Sequence, residues 1–307
     1  ARTVPAAQFC RRRTDPVTAT NRMPLPHGTL DLIEAALDED VGPGDFTTLW
    51  TVPPERRAVA RIVAKARGVI AGSEVAAEAF RSVDTGLRVE IVADDGTAVV
   101  EGDEVMRVRG SAASILTGER TALNFLQQLS GVATMTRRYV DAIAGTGARV
   151  IDTRKTTPGM RRLEKAAVVA GGGANHRAGL YDMVMIKDNH IAAAGGITAA
   201  VAAVRARNHR GLRVEVETTD LDEVREALAA GVDRIMFDNM TPELMRQAVA
   251  LVREMGDARP ETEASGGITL ETIRGYAESG VDFISVGALT HSAPALDLSL
   301  RLEVAPA

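Results

Sequence analysis

Beyond Gly147 the chain alternates short apolar runs with longer amphipathic ones, and this pattern restricts the fold more than any other feature of the sequence. Runs of strand character fall at 149–152, 182–187, 213–218, 234–239, 261–264 and 282–287. Each of the first five is followed by a stretch of helical spacing: LEKAAVVAG, ITAAVAAVRARN, LDEVREALAAG, TPELMRQAVALVREM and TLETIRGYAESG. Parallel strands need long crossover connections, usually helices, so these units predict one parallel sheet. The regular repeat, the polar residues at nearly every strand end and the lack of a GxGxxG turn after a strand favour a barrel over an open doubly wound sheet. With fewer than eight units the barrel is expected to be incomplete.

The preceding half reads differently. Leu30, Ile33, Ala36 and Leu37 recur at helical spacing, and Gly42, Pro43 and Gly44 then force a loop. Strands are expected at 58–64, 69–71, 87–92 and 104–108, with a helix at 74–83. A long helical pattern from Ile115 to Ile143 links the two halves. The expected organisation is therefore an N-terminal α/β domain at 23–131 and a barrel at 132–291, with 292–307 placed back on the first domain. Residues 1–22, with Arg2, Arg11, Arg12, Arg13 and Arg22 against Asp15, have the composition of a disordered extension.

Composition excludes several classes. A net charge of −5 and an aromatic content of 3% argue against a broad nucleic-acid surface. Cys10 is the single cysteine, which rules out an intramolecular disulfide and a cysteine-based zinc cluster. No apolar run is long enough to span a bilayer. A cytoplasmic protein without a membrane partner is expected.

Against that acidic background the stretch 151–191 is basic, carrying Arg154, Lys155, Arg161, Arg162, Lys165, Arg177 and Lys187 against Asp152, Glu164, Asp182 and Asp188. In parallel α/β folds ligands bind at the C-terminal ends of strands. Those ends supply Arg154 and Lys155, then Lys187, then Glu215 or Glu217, then Asp238, and finally the glycines of Ser265-Gly266-Gly267 and Gly287. Guanidinium groups hold carboxylates bidentately and a lysine acts as a point charge for phosphate. A pair of carboxylates beside phosphates suits Mg²⁺, and glycine lets backbone N–H groups approach a phosphate. Together these features predict a pocket for a polyanionic small molecule. Arg161, Arg162 and Lys165, at the start of a helix, read instead as a solvated face. Gly171 to Gly173 read as a helix stop, or as the root of a mobile lid.

The motifs LTGERTALNFLQQLSGVAT, DTRKTTPGMR, HRAGLYDMVMIKDNH, VEVET, MFDN, EASGGI and SVGALTHS, in this order, closely resemble those of the quinolinate phosphoribosyltransferases. That resemblance implies a small N-terminal α/β sandwich plus an incomplete α/β barrel, the type II phosphoribosyltransferase architecture. It implies transfer of phosphoribosyl from phosphoribosyl pyrophosphate to quinolinate with decarboxylation, dependent on Mg²⁺, in NAD synthesis. It also implies a homodimer with shared active sites. By motif, Arg154, His176, Arg177 and Lys187 would surround the quinolinate carboxylates, with Arg120 supplied by the partner subunit. Lys155 would join Lys187 near the pyrophosphate. Glu217 and Asp238 would sit by the ribose and the metal, and Ser265, Gly266, Gly267, Gly287 and Ala288 would hold the 5-phosphate. Glu215 faces the same side of its strand as Glu217, so the strand pattern leaves open which of the two stands at the site. Two alternatives share the charge pattern: a Schiff-base enzyme using Lys155 or Lys187, and a non-catalytic anion-binding relative.

Overall fold

The computed structural model describes residues 25–304; the expected N-terminal extension at 1–22, with Cys10, lies outside them. The first unit opens with α1 (Thr29–Val41) and α2 (Phe46–Thr51), followed by β1 (Arg57–Ala64), β2 (Gly68–Val69), α3 (Ser73–Val83), β3 (Arg88–Ile91), β4 (Ala98–Val99) and β5 (Glu104–Ser111). α2 falls where a loop was expected after Gly44, because Asp45 caps it by accepting the Thr48 N–H at 3.0 Å. The 31-residue α4 (Ala112–Ala142) comes next, about 46 Å long at 1.5 Å per residue.

The second unit comprises β6 (Arg149–Ile151), α5 (Arg161–Ala170), β7 (Val184–Ile186), α6 (Asp188–Ala194), α7 (Ile197–Arg205), β8 (Val214–Thr218), α8 (Leu221–Ala230), β9 (Arg234–Asp238), α9 (Pro242–Arg253), β10 (Glu261–Ser265), α10 (Ile273–Ala277), β11 (Phe283–Ser285) and α11 (Ala288–His291). A last strand, β12 (Leu298–Val304), returns to the first unit and pairs antiparallel with β1, Ala58 opposite Val304 and Ala64 opposite Leu298. The first sheet thus runs β12-β1-β5-β3, and β2 and β4 form a separate ribbon.

The six strands of the second unit are parallel in the order β6-β11-β10-β9-β8-β7. No pairing joins β6 to β7, so the barrel has an open seam. On β8 and β9 Val216, Ile235 and Phe237 are buried apolar residues, and alternate positions carry charge instead: Glu215, Glu217, Arg234 and Asp238. Strand alternation sends these two sets to opposite faces. The apolar set belongs to the core that includes Val224, Ala227, Met245 and Val249 of the surrounding helices. A barrel interior is normally filled with branched apolar side chains. Here it is filled with charges, which must therefore satisfy one another.

α4 spans both units. Leu123, Leu126 and Leu129 are buried in its core face, while Arg120 and Asn124 are exposed. Close approaches depend on glycine: a Cβ on Gly131 would come within 2.2 Å of the Pro294 carbonyl, and one on Gly171 within 2.4 Å of the Ala133 carbonyl. Gly171 and Gly173 are therefore packing positions between α5 and α4 rather than the root of a lid.

Candidate active site

The C-terminal ends of the parallel strands surround a cavity of about 670 Å³. Its wall includes Arg154, Lys155, His176, Arg177, Lys187, Glu217, Asp238, Ser265, Gly266, Gly267, Gly287 and Ala288. Of the residues that the resemblance places in the site, Arg120 alone is not part of this wall; it lies exposed on α4.

Charge is distributed around the cavity by sector. Arg154 and Lys155 follow β6, and the Lys155 N–H donates to Thr153 Oγ1 at 3.0 Å while Thr290 Oγ1 donates to the Lys155 carbonyl at 2.7 Å. The Nε of Arg154 is buried without a protein partner, a donor left for a ligand. The guanidinium of Arg177 donates to the Met183 carbonyl at 3.2 Å, and its pKa is lowered by burial and by the charge of Arg154. Two neighbouring guanidinium groups that repel each other favour an anion between them. Lys187 follows β7 and caps α6, and its N–H donates to Nδ1 of His190 at 3.0 Å. His190 thus fixes the Lys187 backbone and does not itself line the cavity.

The middle sector is acidic. Glu217 and Asp238 end adjacent strands, and Glu217 is ion-paired with Lys187. Asp238 Oδ2 accepts from the Asn239 amide at 2.6 Å. Glu215 and Glu217 stand at different depths on β8. Glu217 reaches the cavity, whereas Glu215 is 0% exposed inside the barrel and does not line it.

The third sector is glycine-lined. Gly266 and Gly267 have φ of 93° and 59°, which L side chains rarely adopt. A Cβ on Gly266 would come within 2.3 Å of Asn239 Oδ1. Asn239 itself is the only non-glycine residue with positive φ (53°) among those described, and its N–H donates to the Ser265 carbonyl at 3.0 Å. This puts strain at the strand ends, where small left-handed turns bring backbone close to a ligand.

Beneath the cavity lies a closed charge cluster. His176 Nε2 is 3.1 Å from Glu215 Oε2 and 3.2 Å from Glu263 Oε2, without a well-aligned hydrogen bond to either. Its Nδ1 accepts the Arg177 N–H at 2.6 Å, so both ring nitrogens face protein groups. Arg234 donates to Glu263 at 3.1 Å and to Glu261 at 2.8 Å, with its guanidinium 4.2 Å from the Phe283 ring centre. Burial alone would lower the His176 imidazole, but the close approach of the Glu215 and Glu263 carboxylates overrides it and raises the pKa to about 9. Burial, reinforced by the charge of Glu263, raises Glu215 to about 7. Because the Arg177 N–H points at Nδ1, the extra proton belongs to the cluster as a whole rather than to the imidazole alone. His176 and Arg234 offset the charge of Glu215 and Glu263.

Sequence reading overlooked Glu263 and Ser285, which also line the cavity. Both were within reach of the strand period, since Glu263 lies two residues before Ser265 and Ser285 two before Gly287. Lys165 is a correction to the solvated face expected for it: it is 5% exposed and ion-paired with Asp152, which is 0% exposed. Arg161 is half-buried and donates to the Ala178 carbonyl at 3.1 Å, leaving Arg162 exposed at that helix start.

An incomplete α/β barrel whose strand ends combine cations, two carboxylates and glycine turns defines a class: enzymes that act on phosphorylated, anionic small molecules. The chain matches the models of the quinolinate phosphoribosyl transferase N-terminal domain over residues 45–130 and C-terminal domain over 132–301, and it belongs to that family. It is 48% identical over 268 residues to a probable nicotinate-nucleotide pyrophosphorylase [carboxylating] of Synechocystis, covering 87% of this chain and 90% of the relative. A Bacillus subtilis relative of the same name is 45% identical over 266 residues, with the same coverage. Among solved structures, NadC from Streptococcus pyogenes superposes with a TM-score of 0.88 at 42% identity, covering 93% of this chain and 100% of that one. The nicotinate-nucleotide pyrophosphorylase from Francisella tularensis gives 0.86 at 38% identity, covering 91% and 98%.

Proposed function

We propose that this cavity transfers phosphoribosyl from phosphoribosyl pyrophosphate to quinolinate, releasing pyrophosphate and CO₂ and leaving nicotinate mononucleotide for NAD synthesis. One observation carries the assignment of parts: cations, carboxylates and glycine turns occupy separate sectors of one wall. Arg154 and Arg177 bind the two quinolinate carboxylates, with His176 behind them and Lys187 alongside. Lys155 and Lys187 face the pyrophosphate. The backbone and hydroxyl of Ser265, Gly266, Gly267, Gly287 and Ala288 bind the 5-phosphate, while Glu217 and Asp238 meet the ribose.

The chemistry follows from those positions. The pyridine nitrogen forms a bond to the anomeric carbon as the carbon–oxygen bond to pyrophosphate breaks. Positive charge developing on the ribose lies near Glu217 and Asp238, and negative charge on the leaving group lies near the two lysines. The ribosylated ring is cationic and accepts the electron pair released when the 2-carboxylate departs as CO₂; the ring carbon then takes up a proton. Enclosure by the strand ends orients the reactants and excludes water. Glu217 and Asp238 also fit a Mg²⁺ ion, which takes one or two protein carboxylates and substrate oxygens. Bound there, the ion would offset the negative charge of the pyrophosphate. Glu217 would then exchange its Lys187 partner for the ion.

Arg120 is assigned to the site of a second copy in a homodimer. Support comes from its exposure on α4 and from the exposed apolar surface of neighbouring α2, where Leu49 is 66% and Trp50 80% exposed. A cytoplasmic location is part of the same reading; no helix among the described residues is long and apolar enough to cross a membrane, and several plant relatives are named chloroplastic or mitochondrial.

The deciding assay follows nicotinate mononucleotide and CO₂ from purified protein with quinolinate, phosphoribosyl pyrophosphate and Mg²⁺. Absence of product at high enzyme concentration overturns the reading. Mixing inactive Arg120→Ala and Arg154→Ala proteins is expected to restore activity; no recovery after demonstrated subunit exchange would remove Arg120 from the site.

A further inference from the structure

The open seam of the barrel poses a mechanical problem for the cationic sector. β6 has three residues and pairs along one edge with β11; its other edge meets only the single bridge between Ile151 and Ala174. There the Ala174 N–H donates to the Val150 carbonyl at 2.9 Å and the Asp152 N–H to the Ala174 carbonyl at 3.2 Å. Past Ala174 no ladder continues, yet two and three residues on are His176 and Arg177, which line the cavity. One-bridge pairing leaves register weakly determined.

A buried ion pair takes over where the ladder stops. Asp152 Oδ1 accepts the His176 N–H at 2.8 Å and is paired with the Lys165 ammonium. Lys165 Nζ also donates to the His176 carbonyl at 2.9 Å. With its amide nitrogen turned toward acceptors, Asn175 reaches Asp152 Oδ2 at 2.6 Å and the Lys165 carbonyl at 2.9 Å. Three separate elements, the end of β6, the first turns of α5 and the segment 174–177, therefore meet at one carboxylate. Two opposite charges taken out of water contribute little net stability compared with an apolar pair of similar size. What they supply at this point is direction, because each bond addresses a particular backbone atom of His176. Neither Lys165 nor Asp152 lines the cavity.

We infer that Lys165 and Asp152 are a positioning pair: together they hold the open seam beside β6 and set the backbone of His176, and through it the aim of Arg177, for the quinolinate carboxylates. This rests on the assignment of those carboxylates to Arg154 and Arg177. Lys165 acts through the neighbouring segment and does not touch substrate.

The test uses the full-length protein, Lys165→Met and the double variant Lys165→Met/Asp152→Asn, which removes both charges so that no buried carboxylate is left unpaired. In the double variant the melting temperature is expected to stay near that of the wild type. Its KM for quinolinate should rise tenfold or more while its KM for phosphoribosyl pyrophosphate changes less than twofold. Amide hydrogen exchange at His176 should accelerate at least tenfold. A folded double variant with wild-type quinolinate KM, or with both KM values raised in parallel, overturns the positioning role, as does unchanged exchange at His176. The exchange measurement does not depend on the proposed reaction. Failure of wild-type protein to bind quinolinate, with exchange accelerated as expected, would instead overturn the substrate assignment, and the functional half of this inference with it.

Discussion

Glu217 and Glu215 lie two residues apart on β8, point to the same side and differ in every physical respect that matters. Glu217 stands at the mouth of the barrel, its side chain 10% exposed, beside Lys187, whose side chain is 42% exposed. Glu215 sits one layer deeper at 0% exposure, beside His176 and with Glu263 and Arg234 near. At the mouth, charges are partly solvated and can exchange partners. In the interior they are closed on one another, and each counter-charge is obligatory. The same residue type therefore serves binding in one layer and folding in the next.

The largest effect expected from breaking this contrast is in the interior. Arg234→Met removes the cation shared by Glu261 and Glu263 and leaves buried acid uncompensated, which should cost about 3–5 kcal/mol of unfolding free energy. Urea denaturation measures this, and a loss below about 1 kcal/mol would mean the interior charges are not mutually dependent. At the mouth the expected outcome is reversed. Arg154→Ala should lower kcat/KM for quinolinate by about 2–4 kcal/mol of transition-state binding, as loss of a desolvated charge contact does, with a melting temperature nearly unchanged. A variant that unfolds would place Arg154 with the interior set.

Gly266→Ala tests the glycine sector. A methyl group there meets Asn239 and forces an unfavourable φ of 93°, so a stability loss of about 1–3 kcal/mol is expected, with weaker binding of phosphoribosyl pyrophosphate. Thermal melts together with the KM for that substrate measure both.

The smallest effect is on pH dependence. Raised values of about 9 for His176 and about 7 for Glu215 mean that the folded cluster holds more protons than the unfolded chain, whose groups titrate near 6.5 and 4.5. Where the folded state binds more protons, stability falls as pH rises. The contribution of His176 and Glu215 is therefore full below about pH 4.5, starts to diminish as pH climbs through the carboxylate range, and is lost by about pH 9, whereas Glu263, held low by His176 and Arg234 against its burial, contributes above about pH 4.5 and loses that contribution in acid. The decline between pH 6.5 and 9 should stay under about 1 kcal/mol per pH unit, because the proton is shared. Melting curves across that range measure it, and Glu215→Gln should flatten the slope; an unchanged slope would remove the cluster as its source.

Much of the site was legible in the chain. Strand period and the strand-end rule located Lys155, Lys187, Asp238 and the glycines without any knowledge of packing, because both rules depend only on local geometry. Glu263 and Ser285 obey the same period but lie two residues before Ser265 and Gly287, where period alone does not separate the cavity wall from the packed interior. Lys165 was beyond such reading: helical spacing gives a residue's face, but whether that face meets water or Asp152 depends on an element 13 residues away. The turn after Gly44 concealed α2 because a six-residue helix depends on its Asp45 cap rather than on a recurring apolar stripe.

By itself the sequence determined the alternation of strands and helices, the parallel sheet and the supply of cations, acids and glycines to one rim, since these follow from period, propensity and chain connectivity. Tertiary structure alone decided which charges the rim keeps and which the interior neutralises. It also set the register of β12 on β1, placed the open seam beside β6 and buried Lys165 there. The physical reason is that burial and pairing belong to elements distant in sequence, and the energy of a charge is set by what surrounds it.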